Sequence, residues 1–390
     1  MKGHILVTSY RDIRHPHWGG AEVIMYEVFR RIRRAGFKVS FLCSNFPGGG
    51  AVDEVDGMRI HRIGNTYDFN FRVPGFLRGF ARREGVTLVA EDVNKIPFFS
   101  PRFLRGIPTL GIVPHLFGKT VFQEVAWPLA AYVYAYEQLI PRVYRNCYFS
   151  VLSDTTKEDL VSRGLRAERI RVIRSGIDHE EHKPPPVRES APGPVLVYLG
   201  RLKKYKRIDL AILAMPRILE SVPDAQYWIV GEGDHRKSLE ALVAAMGLGN
   251  SVRFCGLKTG VEKLEILHRS RILVYTSPKE GWGLSVIEAN ATGCPAVASD
   301  SPGLKESVRD GQTGFLVPHG DVPALAETLV RLLKDDDLWM SLSRAGIDWA
   351  RQYTWERSAA ETLDLIEEVL RVGDGATGAA AGGSGGEGAV

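Results

Sequence analysis

The chain is poor in cysteine, with four in 390 residues, at positions 43, 147, 255 and 294. They stand far apart, most of them in or beside apolar, strand-like runs, and no CxxC or Cys/His ligand spacing occurs. That pattern speaks against a disulfide framework and against a metal site, and predicts buried, reduced thiols in a cytosolic protein. Long apolar runs are missing too: nothing approaches the roughly 18 uninterrupted residues that a membrane-crossing helix needs. The amino end, MKGHILVTSY, enters a strand at once and lacks signal-peptide architecture. Charge of one sign is also absent. Fifty Lys and Arg against 46 Asp and Glu leave a net charge of +4, which carries no nucleic-acid signal for a chain of this size.

What is present is an ordinary globular composition, 44% hydrophobic and 25% charged, in a chain long enough for two domains. Ile5-Leu6-Val7-Thr8-Ser9 reads as a buried strand, 21–35 as a helix closed by Gly36, and 38–43 as a second strand. Further strands are expected at 58–63, 87–90, 108–113 and 147–152, while Asp53–Gly85 reads as loops and short helices. The aromatic stretch Phe122–Arg145 reads as a helix broken or kinked at Pro128 and Pro141. The proline-rich run 184–194 reads as a linker between an amino-terminal domain, 1–183, and a second alternating stretch, 195–353. A final helix, 354–371, is expected to return to the first domain, with 372–390 a disordered glycine-rich tail. Alternation on both sides of the linker predicts an α/β fold of two Rossmann-like, doubly wound domains facing each other across a ligand-binding cleft.

The chemistry centres on Glu280-Gly281-Trp282-Gly283-Leu284-Ser285-Val286-Ile287-Glu288, which follows a strand-like run and opens a helix. A helix amino terminus behind a glycine loop suits a phosphate. Two carboxylates beside a phosphate would repel it unless they bind something else, and sugar hydroxyls are the obvious candidates. The structural alternative is a Ser285-x-x-Glu288 capping box after an ordinary glycine turn. A second candidate is Gly200-Arg201-Leu202-Lys203-Lys204-Tyr205-Lys206-Arg207, where a strand ends and two cations emerge. Arg201 as a planar fork and Lys206 as a point charge could neutralise a diphosphate; a solvated basic face is the alternative.

Taken in order, these motifs resemble the retaining family 4 glycosyltransferases of GT-B architecture. The resemblance rests on Gly200-Arg201…Lys206-Arg207, Gly231-Glu232-Gly233-Asp234 and Glu280-x7-Glu288. Ser175-Gly176-Ile177-Asp178 and Asp310 to Val317 add to it, as do Gly19-Gly20-Ala21-Glu22 and Pro114-His115 in the first half. It implies that Arg201 and Lys206 bind the pyrophosphate of a nucleotide-diphosphate sugar, helped by backbone N–H groups of Gly283, Leu284 and Ser285. Glu288 would take the ribose hydroxyls, Glu280 the sugar hydroxyls, and Leu257 would lie near the base. Gly19 and Gly20 would let the first domain's backbone approach the diphosphate, and His115 would reach the transferred sugar. GDP-mannose and UDP-glucose are the favoured donors, and a hydroxyl on a lipid-linked acceptor or a growing glycan the favoured acceptor.

No cofactor is expected. The sequence is read as having no Asp-x-Asp triplet to hold Mg²⁺, so transfer is expected to be metal-independent. His15-Pro16-His17-Trp18 sets two imidazoles beside the Gly-Gly turn without an evident third ligand. Trp282 would either tune the sugar pocket or pack. The competing functions are a GT-B-type sugar-nucleotide epimerase and a non-catalytic sugar-nucleotide-binding protein. Aromatic and basic residues interleave over Phe69–Arg83 and again over Leu116–Phe122. They fit either a hydrophobic core with solvated arginines or a peripheral contact with anionic lipid at the cytoplasmic membrane face.

Overall fold

The computed structural model describes residues 2–94, 96–104, 106–123, 126–185 and 193–381. The chain divides into two compact units. The first holds 1–118, 131–176 and 355–390, and the second 119–130 and 177–354.

In chain order the first stretch runs β1 (His4–Thr8), α1 (Gly20–Arg34), β2 (Lys38–Ser44), β3 (Val52–Val55), β4 (Met58–Ile63), α2 (Phe69–Arg83) and β5 (Leu88–Asp92). It continues through α3 (Ser100–Phe103), β6 (Thr109–Val113), α4 (Trp127–Glu137), α5 (Ile140–Val143), β7 (Tyr148–Val151), α6 (Asp154–Ser162) and β8 (Ile170–Val172). The eight strands form one sheet in the order β3-β4-β2-β1-β5-β6-β7-β8, parallel except for β3 against β4. Strands β1, β5 and β6 are buried along their whole length, which is why they read as continuous apolar runs rather than alternating ones. Strand β1 lies between β2 and β5, so the direction of winding reverses at its carboxyl end.

The second unit repeats the plan with β9 (Val195–Leu199), α7 (Asp209–Ser221), β10 (Gln226–Val230), α8 (Arg236–Ala245), β11 (Val252–Gly256), α9 (Gly260–Arg269) and β12 (Ser270–Tyr275). Then follow α10 (Leu284–Ala291), β13 (Ala296–Asp300), α11 (Leu304–Ser307), β14 (Gly314–Pro318), α12 (Val322–Lys334) and α13 (Asp336–Ala350). The sheet order β11-β10-β9-β12-β13-β14 is parallel throughout and reverses between β9 and β12.

The last helix, α14 (Trp355–Ala381), belongs to the first unit and packs on α1. Leu365, Ile366 and Val369 enter the core formed by α1, β1 and β2, and Arg31 reaches Glu356 at 2.8 Å. The helix continues past Arg371, where a glycine-rich tail was expected to begin, and runs to Ala381. Most of the proline-rich run 184–194 lies outside the described residues, as does 382–390.

Two other expectations change. The strand expected at 58–63 is present as β4, but the rest of Asp53–Gly85 is not loops and short helices: it holds β3 and the 15-residue helix α2. Phe69, Val73, Leu77 and Phe80 of α2 are buried on one face, and that packing outweighs the cost of Pro74 within it. The breaks expected at Pro128 and Pro141 are present: the two prolines stand in the first turns of separate helices, α4 and α5, where a missing N–H costs nothing. Finally, β8 and β14 are strands that the apolar pattern did not reveal.

Candidate functional site

In the second unit the two loops singled out from the sequence leave adjacent strands, β9 and β12, at the point where the sheet's winding reverses. Such an edge binds ligands because free backbone groups and helix amino termini converge there. After β9 the chain turns at Gly200, and the Tyr198 hydroxyl donates to the Arg201 carbonyl at 2.9 Å. The Gly231-Glu232-Gly233-Asp234 loop closes against this turn. A Cβ on Gly231 would lie 1.9 Å from the Gly200 carbonyl oxygen, and Leu202 N–H donates to the Glu232 carbonyl at 3.0 Å. The β9 and β12 exits are also tied together, since Thr276 Oγ1 donates to the Arg207 carbonyl at 2.7 Å. Arg207 is held at φ 50°, a left-handed conformation uncommon outside glycine, beside Lys206.

Lys206 is buried and donates from Nζ to Glu280 Oε1 at 2.5 Å. Its ammonium also lies 4.9 Å from the Tyr205 ring centroid and 5.3 Å from that of Tyr275. Burial pulls the ammonium's pKa down, but the Glu280 carboxylate outweighs it, and the group titrates above the usual lysine range. The Glu280 loop is braced in turn, with Glu280 N–H donating to the Pro302 carbonyl at 2.9 Å and Ser301 Oγ to the Ser277 carbonyl at 2.8 Å. Arg201 is exposed and makes no ion pair among the described residues.

Helix α10 starts from Gly283, at φ 101°. A Cβ there would sit 2.6 Å from Ser307 Oγ, so glycine is required by both conformation and space. This start displaces the capping-box alternative: Ser285 is the second helical residue, not the cap. No described residue accepts from the N–H groups of Gly283, Leu284 or Ser285, and all three are only half-buried. Free N–H groups at a helix start are the kind of groups that can receive an anion. Trp282 packs: it is buried edge-on against Tyr353 at 5.2 Å.

Glu288 lies one turn further along α10. It accepts from Lys263 Nζ, on α9, at 3.0 Å, and His182 Nε2 is 3.8 Å from the same oxygen. Both carboxylates of the Glu-x7-Glu motif are therefore neutralised by lysines, Glu280 by Lys206 and Glu288 by Lys263, which removes their repulsion of a phosphate. Lys263 was not singled out in the sequence, where 25 positions separate it from Glu288 and no local motif marks it. Leu257, just past β11, is 62% exposed and offers an apolar surface at the same sheet edge.

The remaining candidates lie in the first unit. Gly19 caps α1 in an extended conformation, with its N–H donating to Glu22 Oε2 at 2.8 Å. No atom lies within 4 Å of a Cβ built on Gly20, so the space beside it is open. The loop before them is anchored by a buried pair: Arg62 Nε and Nη2 donate to Asp12 at 2.8 and 3.0 Å. His115 follows β6 and stands edge-on to Phe117 at 4.7 Å. His15 is buried against Phe46 and titrates below the usual range because of that burial. The His15 and His17 rings are 5.9 Å apart, and no group of three metal-ligating residues occurs among the described residues. One run does have Asp-x-Asp spacing, Asp335-Asp336-Asp337. It starts α13, where Asp335 Oδ1 accepts Leu338 N–H at 2.9 Å and Asp336 pairs with Arg271.

Comparison with known proteins follows the same division. Residues 18–181 match the model for Glycosyltransferase Family 4, and residues 180–349 that for Glycosyl transferases group 1. A phosphatidyl-myo-inositol mannosyltransferase of Mycobacterium leprae is 34% identical over 185 residues, 46% of this chain and 48% of that protein. A GDP-mannose-dependent alpha-(1-6)-phosphatidylinositol monomannoside mannosyltransferase of Mycobacterium tuberculosis is 28% identical over 234 residues, 55% of this chain and 60% of that one. The chain spans about half the length of the curated relatives it matches. Among solved structures, sucrose-phosphate synthase from Thermosynechococcus elongatus superposes with a TM-score of 0.82 at 22% identity, covering 95% of this chain and all of that one. At that identity the likeness is one of fold.

Proposed function

Since the chain belongs to the family 4 glycosyltransferases, the glycosyl transferases group 1, we propose that it moves a hexose from a nucleotide-diphosphate sugar to a hydroxyl acceptor, with retention and without a metal ion. The observation that carries this reading is the convergence of Arg201, Lys206 and the open amino terminus of α10 at one sheet edge, flanked by Glu280 and Glu288. In the reaction the sugar C1–O bond to phosphate breaks, a C1–O bond to the acceptor forms on the same face, and the acceptor's proton passes to the departing phosphate. The protein's task is to stabilise the charge growing on the diphosphate, for which the two cations and the N–H groups of residues 283–285 are suited. Entry of the donor gives Lys206 a phosphate in exchange for Glu280, whose carboxylate then accepts sugar hydroxyls. Glu288 accepts the ribose hydroxyls, and Leu257 packs beside the base.

GDP-mannose is the first donor to test, because both curated relatives described above are named as mannosyltransferases, one of them GDP-mannose-dependent. UDP-glucose is the second. A lipid-linked or glycan hydroxyl is the acceptor class, His115 serves the transferred sugar, and no cofactor takes part. The experiment incubates the protein with both donors and an inositol-lipid acceptor, with and without EDTA, and reads product anomers by proton NMR. An axial product at undiminished rate in EDTA is expected. An inverted product, or loss of turnover reversed by Mg²⁺ or Mn²⁺, contradicts the mechanism. Isomerised donor would indicate an epimerase, and donor binding without turnover a binding protein.

A further inference from the structure

Two lysines neutralise the two motif carboxylates, but they are placed for different ends. Lys206 stands on the loop where the diphosphate is proposed to bind, and can exchange Glu280 for a phosphate. Lys263 stands on α9, behind Glu288, and holds only one of its oxygens. Nζ of Lys263 donates to Oε1 at 3.0 Å, while no described residue donates to Oε2.

The neighbouring His182 does not share this task. Its Nδ1 is 2.9 Å from the carbonyl oxygen of Asp178, which can only accept, so the ring carries its proton there. At 3.8 Å from Oε1, Nε2 lies beyond hydrogen-bond reach. His182 is buried and fills the space behind the carboxylate, with Nε2 unpartnered. Among the described residues, Lys263 is thus the one hydrogen-bond donor to Glu288.

We propose that Lys263 is a positioning residue for the nucleoside: it pins Oε1 of Glu288 so that Oε2 stays aimed at the ribose hydroxyls, and so sets a preference for ribonucleotides over 2′-deoxyribonucleotides. The proposal rests on the reading that Glu288 receives the ribose. A free glutamate would have to be ordered by each incoming nucleotide, whereas a pinned one meets the ligand already in place. Without Lys263 the carboxylate would also regain its full charge beside a diphosphate. A site built to bond a particular hydroxyl discriminates against the analogue lacking it only while its acceptor is held in place.

The test is calorimetric titration of the full chain with GDP and UDP and with their 2′-deoxy counterparts. The ratio of the two affinities is the readout, because a merely structural role would weaken both ligands equally. Wild type should prefer the ribonucleotide by about tenfold or more, the worth of one well-made hydrogen bond. Lys263→Met should bring the ratio close to one, Lys263→Arg should restore most of it, and His182→Phe should leave it unchanged. Should Lys263→Met fold poorly, Lys263→Leu, which likewise has no donor, supplies the same comparison. An unchanged ratio in Lys263→Met, or tighter ribonucleotide binding, overturns the proposal, the latter by making Lys263 a placeholder that the ribose displaces. If wild type shows no preference, or Glu288→Ala keeps it, the ribose assignment itself is wrong and the proposal falls with it.

Discussion

Arg201 and Lys206 carry the same charge five positions apart at one strand edge, and the fold uses them differently. Arg201 is exposed and unpaired among the described residues, so Arg201→Ala should leave stability within about 0.5 kcal/mol. It should weaken nucleoside diphosphate binding by about 1.5–3 kcal/mol, the worth of a charge-assisted contact. Lys206 is buried on Glu280, and Lys206→Met leaves that carboxylate without its cation, at a cost of roughly 3 kcal/mol of stability. Glu280→Gln in the Lys206→Met background should recover most of the loss. Thermal melts beside titrations decide this, and equal melting losses in the two single variants would contradict it. Asp92, at the carboxyl end of β5, is a different case. It is buried, with Ser9 Oγ donating to Oδ2 at 3.0 Å, and burial, with Glu22 nearby, raises its pKa to about 8. A carboxyl raised in the folded state contributes stability at low pH that is lost as pH rises through its folded pKa. Asp92→Asn removes that titration, so the variant's melting temperature should gain on wild type between pH 5 and pH 9. A constant offset across that range would refute the assignment.

At the scale of elements, the strand edges were legible and the partners across them were not. Continuous apolar runs such as Val195–Leu199 announced buried parallel strands, and alternation with helical patterns announced the doubly wound sheets. The loop from β12 into α10 was legible because glycine before a helix marks both a turn and an anion site, although the helix begins at Leu284 from a Gly283 cap and not at a Ser285 cap. Helix α2 was obscured because Pro74, Gly75 and Gly79 lower its intrinsic propensity, while the buried faces of Phe69, Val73, Leu77 and Phe80 supply the compensation only in the folded chain. The lysine pairs were hidden for another reason. Lys206 and Glu280 are 74 positions apart, and Lys263 and Glu288 are 25 apart, so only the sheet brings them together. Local pattern shows which groups leave an edge; topology decides which of them meet.

For the whole molecule, a net charge of +4 understates how its basic groups are distributed. The run Arg30 to Arg34 is largely occupied: Arg30 and Arg31 pair with Glu27, and Arg33 Nε donates to the Gly57 carbonyl at 3.0 Å. Two other sets make no ion pair among the described residues: Arg78, Arg82 and Arg83 on α2, and Arg142, Arg145 and Arg166 around a surface hollow. No helix among the described residues is long and apolar enough to cross a membrane. The interleaved aromatics of α2 mostly do not serve lipid contact, because Phe69 and Phe80 are core. What remains is one outer face, with Phe71 75% exposed and Arg78 and Arg82 following at helical spacing, and Tyr67, 92% exposed, just before the helix. Apolar rings beside cations supply the two signals that stable peripheral binding needs, and none of the residues lining the hollow of the second arginine set is aromatic. The full chain is therefore predicted to sediment with vesicles containing anionic lipid at low salt and to be released as salt rises. Each basic residue near such a surface contributes about 1 kcal/mol, so reversing Arg78, Arg82 and Arg83 to Glu should lower partitioning by about a hundredfold or more. The same reversal at Arg142, Arg145 and Arg166 should matter far less, and Phe71→Ala should act in between. Unchanged sedimentation of the α2 variant would move the contact elsewhere, and no sedimentation of wild type at low salt would leave a protein that meets its acceptor in solution.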